Sequence, residues 1–279
     1  MTALNSFVTT KTLQTEGMNG FKLITCWLLT VVLVISSQTW ASEPLDAQQI
    51  VDKMDNLQRQ VADSTLTKSR LSTCQFGTKN KKLTCVEKPR VKILESVSVQ
   101  SGAEKKDAKS VSIVLEPASE RGIGMLTYSY DDEAKDTESW LYLSALGRVK
   151  RMASGTGEDR EPVSLFGSEF TTEDMETGKT DEYTYQILQE GAYGQRQVWV
   201  IEARPKPVRL RKTHYSKLLF WIDKERFLAV KVQAYDKREK LNKRILFKRI
   251  EQINGLWFAR DVTVMNVQTQ RLSIAQSWF

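Results

Sequence analysis

The chain has 279 residues, with 41 basic and 34 acidic side chains, three cysteines and a single histidine, for a formal net charge of +7. One histidine excludes a multi-histidine metal centre and leaves a histidine-based catalytic triad dependent on His214 alone. The positive excess is mild and spread along the chain, which suits an anionic lipid headgroup or an acidic protein face.

The first element is an export signal. Lys22 precedes the apolar run Leu23–Ile35, and the polar stretch Ser36–Thr39 leads to the small residue Ala41. These are the three parts of a cleavable signal peptide, so residues 1–41 are expected to be removed. The run is shorter than the ~20 apolar residues of a spanning helix. Met18 opens an n-region of ordinary length, so translation begins at Met1 or Met18. Cys26 lies near the front of the run, where it reads as filler rather than a lipid-attachment site. Export removes nucleic acid as a partner.

A helix follows. Asp46 and Gln49 form a capping box, and Ile50, Met54, Leu57 and Val61 recur on one helical face. Cys74 and Cys85 come next. In an oxidising compartment such a pair forms a disulfide, and Gly77, Asn80 and the lysines between them look like a hairpin tip. A metal site lacks further ligands, and the spacing is not that of a redox CxxC.

After Ser64 the pattern changes to period two. Val91, Ile93, Val97 and Val99 alternate with polar residues, as do Val111, Ile113 and Leu115, and Leu126, Tyr128 and Tyr130. Further strands are expected over 138–143, 182–188, 197–203, 217–223, 228–235, 244–253, 257–267 and 271–279, with turn signals between them. About ten or eleven strands joined by short turns describe an antiparallel meander without a domain boundary. Residues 153–178 interrupt it as a long glycine-bearing excursion containing Leu165, Phe166 and Phe170, with a short helical piece begun by Ser168 or Thr171. The acidic stretch 131–138 is a solvated hairpin tip and does not match a calcium loop.

No nucleophile–base pair is visible, so the chain is not read as an enzyme, and no cofactor or metal is implied. One helix covers only part of such a sheet. The rest of the apolar face needs a second layer or a ligand, and two readings stay open: a filled sandwich, or a partly open barrel with an apolar cavity.

Several stretches resemble the LolA-like family of outer-membrane lipoprotein-sorting proteins. They are WLYLSALGRVKRM at 140–152, LFGSEFTTEDM at 165–175, VWVIEARP at 198–205, YSKLLFWIDKE at 215–225 and GLWF at 255–258. The resemblance runs from about Gly124 to Phe279. It implies a mainly β fold: an incomplete, strongly curved antiparallel barrel with an N-terminal helix and a helical lid loop covering the concave face. Residues 42–279 would then form a single lipid-binding domain. The implied activity is a periplasmic carrier that holds lipid or lipoprotein acyl chains and shuttles them toward the outer membrane. The implied partners are that cargo and an inner-membrane exporter of the resistance-nodulation-division (RND) type, with peripheral membrane contact. The Cys74–Cys85 hairpin and the basic stretch 205–212 depart from the family pattern. The alternative is an envelope-stress sensor or regulator built on the same lipid-binding fold.

On this reading Val97, Leu126, Tyr128, Leu141, Leu143, Val200, Phe220, Ile222, Val230 and Phe247 line the cavity. Leu165, Phe166 and Phe170 form the lid. Arg204, Lys206, Arg209 and Arg211 meet a headgroup phosphate or a partner, or else form a solvated basic turn.

Overall fold

A computed structural model describes residues 44–60, 62–79, 82–132, 134–152 and 163–278. The expected signal peptide and its cleavage point lie outside the described residues. The chain divides into Met1–Glu43 and Pro44–Phe279, and the described residues belong to the second unit.

Helix α1 (Ala47–Arg59) begins as its sequence dictates. Asp46 accepts from the Gln49 amide at 2.8 Å, and the Gln49 side chain accepts from the Asp46 amide at 3.0 Å. Ile50, Val51 and Met54 are buried, and Leu57 is half-buried. Val61, the last residue of the expected stripe, lies outside the described residues.

Among the described residues fourteen strands follow: β1 (Ser64–Lys79), β2 (Lys82–Cys85), β3 (Arg90–Ser101), β4 (Asp107–Glu116), β5 (Gly124–Ser129), β6 (Glu138–Leu143), β7 (Arg148–Met152), β8 (Tyr183–Tyr193), β9 (Arg196–Pro205), β10 (Tyr215–Asp223), β11 (Leu228–Asp236), β12 (Leu241–Ile253), β13 (Leu256–Asn266) and β14 (Arg271–Trp278). Helix α2 (Pro207–Lys212), with proline in its first turn, occupies the basic stretch between β9 and β10. The strands exceed the expected ten or eleven. β1 carries mostly Ser, Thr, Lys and Arg, and β7 is Arg-Val-Lys-Arg-Met, so neither shows an apolar alternation. The arms of the expected hairpin are observed, with β2 paired to β1 from Phe76↔Cys85 to Lys79↔Lys82 and Cys74 bonded to Cys85, while its tip at 80–81 lies outside the described residues.

All pairings are antiparallel, in the order β7-β6-β5-β4-β3-β1-β14-β13-β12-β11-β10-β9-β8, and the sheet is not closed into a barrel. The open, curved barrel expected from the sequence is the observed fold. Its curvature follows from the core. Val114 of β4, Leu94 of β3, Leu71 of β1, Val264 of β13, Ile245 of β12, Val232 of β11, Ile222 of β10 and Ile201 of β9 join one buried cluster with α1. Laid flat, β4 and β9 would stand about 38 Å apart at roughly 4.8 Å per strand. A helix of 13 residues is only about 20 Å long. The sheet must therefore wrap around α1, with its concave side toward the helix.

The concave side changes character along the sheet. From β9 to β13 it is mainly apolar, with the buried Lys243 as an exception. On the flank from β1 to β6, Thr65, Ser98, Ser110, Thr127 and Ser139 form one register row, on the same side as Leu71, Leu94 and Val114. Ser96 and Ser112 pair their hydroxyls at 2.7 Å in the next row. The apolar row Leu66, Val97, Val111, Leu126 and Trp140 lies on the opposite face of those strands.

Candidate functional site

The segment between β7 and β8 crosses the concave side as a strap, and its described part begins at Val163. Phe166 O accepts from Lys92 Nζ of β3 at 3.0 Å. The Glu169 amide donates to Ser273 Oγ of β14 at 2.9 Å. Asp174 accepts from Lys243 Nζ of β12 at 2.6 Å and from the Tyr215 hydroxyl of β10 at 2.6 Å. The Gly178 amide donates to Asp55 Oδ1 of α1 at 2.8 Å. The strap thus steps over the sheet from one flank to the other. Phe170 is buried in the core cluster, with Leu165 and Phe166 packed against it. The expected helical piece is a single 3-10 turn, Glu173–Met175, and Asp174 within it accepts from the Thr171 amide and hydroxyl just before it.

The strap ends in a charged clasp. Arg209 of α2 is buried with Glu176 at 2.6 Å, Glu182 at 3.3 Å and Glu173 at 3.7 Å, and its Nε donates to the Tyr183 hydroxyl at 3.0 Å. Burial alone would lower the Arg209 pKa, but Glu176, Tyr183 and Glu173 outweigh it and raise it. Burial pushes the Tyr183 hydroxyl up to about 12. Glu173 also accepts from Thr213 and faces His214 Nδ1 at 2.8 Å. Burial raises its pKa, yet the His214 ring, the Arg209 charge and the Thr213 hydroxyl together hold it below the ordinary carboxylate range. Thr137, just before β6, donates to Glu176 at 2.7 Å, and Asp136 pairs with Lys212 at 3.0 Å. Residues beside β6 and residues of α2 belong to distant strands of the sheet order, so the clasp joins the two flanks across the open side. The cavity within it holds about 40 Å³, room for water and little else.

A larger cavity of about 530 Å³ lies at the turns joining β8 to β9 and β10 to β11. Val230, Phe247 and Ile250 form an apolar patch of its wall, and its rim carries Arg196, Arg226, Lys248 and Arg249 together with Glu225, which pairs with Arg226 at 2.8 Å. A β-bulge positions Val230: Ala229 pairs with Ile222 and Lys231 with Trp221, leaving Val230 as the extra residue. Phe247 packs against the core cluster, so the cavity abuts the concave core. Asp223 holds Arg196 at 2.6 Å and Arg226 at 3.1 Å. Arg249 sits at φ 47° inside β12 and makes two 2.6 Å bonds to Asp261. A non-glycine residue there stores roughly 1–2 kcal/mol of backbone strain at the cavity wall. The arrangement offers a mixed pocket, three aliphatic or aromatic side chains set among polar ones, with an excess of cationic groups at its rim. It suits an amphiphile with an anionic end.

The expected site residues separate. Leu141, Leu143, Phe220, Ile222 and Phe247 face the concave side, and Val230 borders the large cavity. Val97, Leu126 and Tyr128 lie on the opposite face, as does Val200 between the core residues Trp199 and Ile201. The strap residues Leu165, Phe166 and Phe170 cover the concave core. The four expected headgroup residues do not converge. Arg204 pairs with Glu202 and Glu239, Lys206 bonds Asp181 O, Arg211 is exposed, and Arg209 is consumed by the clasp. None borders the large cavity. Its rim of Arg196, Arg226, Lys248 and Arg249 carried little signal in the sequence, where Arg196 follows the Gly194 turn into β9 and Arg226 lies in the turn after Asp223. The clasp had a sequence signal, the row Glu173, Asp174, Glu176, Asp181 and Glu182 broken by the single base Lys179.

A family model described as that of an uncharacterized, DUF1329-like protein matches residues 106–277, more than half of the chain. No curated protein matches. Among solved structures, a DUF1329 family protein from Desulfovibrio piger is 23% identical over 83% of this chain and 89% of its own, with a TM-score of 0.69. An outer membrane lipoprotein-sorting protein domain from Vibrio parahaemolyticus is 22% identical over 84% and 90%, with a TM-score of 0.70. A LolA superfamily protein from Nitrosomonas europaea is 18% identical over 85% and 93%, with a TM-score of 0.62. At these identities the likeness concerns the fold, which is LolA-like.

Proposed function

The chain belongs to the DUF1329-like family whose model spans residues 106–277, and from that membership and the LolA-like fold we propose that it is a carrier for the acyl chains of a lipid or lipoprotein. One observation carries the reading: the 530 Å³ cavity sets an apolar patch of Val230, Phe247 and Ile250 beside a rim of four basic side chains and one acid, Glu225. Its volume lies in the range of small-molecule sites. An acyl chain would leave water against the apolar patch while an anionic headgroup meets Arg226 or Lys248. Leu141, Leu143, Phe220 and Ile222 would extend the apolar surface on the concave side, and the strap would act as its lid.

The finer reading places this work in the periplasm, after cleavage near Ala41, with transfer toward the outer membrane. The signal-like N-terminus and the Cys74–Cys85 disulfide support export. An RND-type inner-membrane exporter would load the carrier. This partner rests on the sequence resemblance alone and is tested by crosslinking in cells.

The test of cargo is native mass spectrometry and lipid extraction of the purified protein. A stoichiometric acyl lipid is expected, reduced at least tenfold in Phe247→Asp. A wild-type protein that stays empty after incubation with phospholipid and with acylated peptide would refute the carrier reading.

A further inference from the structure

The strap presents to the sheet what an anionic amphiphile would present. Residues 163–178 carry four acids and no base. Each acid faces a base of the sheet or of the α2 region: Glu169 meets Arg271 at 2.7 Å, Glu173 meets His214 and Arg209, Asp174 meets Lys243, and Glu176 meets Arg209. Just upstream of these pairs, Phe170 is buried in the core cluster. An apolar part and an anionic part thus enter the concave side together.

The innermost pair is Asp174 with Lys243. Lys243 precedes Ile245 and Phe247 on the inner side of β12, and its side chain is 5% exposed against 2% for Asp174. The carboxylate accepts from Lys243 Nζ at 2.6 Å on one oxygen and from the Tyr215 hydroxyl at 2.6 Å on the other. Burial and the Asp174 charge hold the Tyr215 hydroxyl well above its ordinary range, so it stays a donor. Lys243 also lies 3.5 Å from Thr171 Oγ1, which belongs to the strap as well.

The strap is folded independently of the sheet it covers. Among the described residues, the backbone–backbone hydrogen bonds of 163–178 close within the strap itself, as Thr172 does on Val163 O and Leu165 on Phe170 O. Its ties to the sheet run through side chains: Lys92, Ser273, Arg271, Lys243 and Tyr215. Lifting it costs no backbone ladder.

We propose that the strap is an internal stand-in for an anionic amphiphile, and that Lys243 and the Tyr215 hydroxyl, with the space filled by Phe170, form a binding site for such a molecule when the strap lifts. This rests on the carrier reading and adds to it a second position for the cargo's anionic end. The strap leaves by exchange. Without a replacement anion, Lys243 would be a stranded cation in a mainly apolar wall, and Phe170 would leave a hole. A phosphate or carboxylate head accepts from the same ammonium and phenol, and an alkyl chain refills the hole. A neutral amphiphile repairs only the second loss, so the site selects for negative charge.

Binding of dodecyl phosphate and of dodecyl maltoside to the delipidated protein, both below their micellar concentrations, tests the exchange. Wild type should prefer the phosphate, and hydrogen exchange across 163–178 should accelerate when it binds. Asp174→Asn weakens the competitor and should raise dodecyl phosphate affinity about tenfold. D174N/K243M strands neither charge, and relative to Asp174→Asn it should cut the ratio of phosphate to maltoside affinity about tenfold, with unchanged circular dichroism. The proposal is overturned if Asp174→Asn binds dodecyl phosphate no better than wild type, if the double variant keeps the preference, or if exchange across 163–178 ignores the ligand. Inorganic phosphate alone should not release the strap; release would make the site one for a free anion and overturn the amphiphile assignment. A wild type that binds neither amphiphile refutes the carrier reading as well. Binding of both without any effect of the variants leaves that reading standing and removes the strap site alone.

Discussion

The Gly178 amide donates to Asp55 Oδ1 at 2.8 Å, tying the end of the strap to the helix inside the sheet. Asp55 also accepts from Arg59 Nε at 2.7 Å, and both side chains are nearly inaccessible to water. Removing the carboxylate strands a buried guanidinium and releases the strap together. Asp55→Ala should therefore cost about 3–5 kcal/mol in urea unfolding, and hydrogen exchange across 163–178 should accelerate. Unchanged exchange there would show that other contacts hold the strap.

The clasp has a defined pH response. Glu173 has a folded pKa below its ordinary value of 4.5, set by burial on one side and the stronger pull of His214, Arg209 and Thr213 on the other. A depressed carboxylate contributes stability above its unfolded pKa and loses it as pH falls through the folded value. Glu173→Gln should then cost about 1–3 kcal/mol at neutral pH, and the gap to wild type should narrow below pH 4.5. A gap that widens on acidification would contradict the direction of the shift.

Much of the fold was legible in the chain, but its orientation was not. The capping box and apolar spacing located α1, and period two located most strands. On β3 and β4, however, the conspicuous valines read as the inner face, while the core takes Leu94 and Val114 from the other phase. The serines beside them satisfy one another, as Ser96 does Ser112, and so tolerate the covered side. Alternation reveals a strand's two faces but not which one is covered, and Val97, Leu126 and Tyr128 were assigned to the wrong side for that reason. The cavity was harder still to anticipate, since it depends on the unpaired Val230 and on turns that meet only in three dimensions.

Paired substitutions measure this polarity. Val114→Ala, at a fully buried position, should cost about 1.5–3 kcal/mol, whereas Val97→Ala should stay within about 0.5 kcal/mol of wild type. Equal costs from chemical denaturation would mean that the outer face is covered in the free protein.

The disulfide should act locally. Cys74 and Cys85 are 11 residues apart in sequence and join β1 to β2 at one end of the hairpin. Cross-linking a loop of this size restricts the unfolded chain by about 3 kcal/mol in the entropy account. C74A/C85A should lower the urea midpoint accordingly and leave cargo retention intact, because neither cysteine borders the cavity. Loss of cargo in this variant would connect the hairpin to the site.

The free edges of the sheet, β7 and β8, are consecutive strands in the chain, and residues 153–182 join them. The gape of the barrel is therefore limited covalently, like the mouth of a purse on its drawstring. However far the flanks breathe, they cannot part beyond the contour of that one segment. A single cut within it would leave the Thr137–Glu176 hydrogen bond and the Asp136–Lys212 ion pair, among the described contacts, to hold the strap and α2 to the β6 side, turning a tether into an equilibrium.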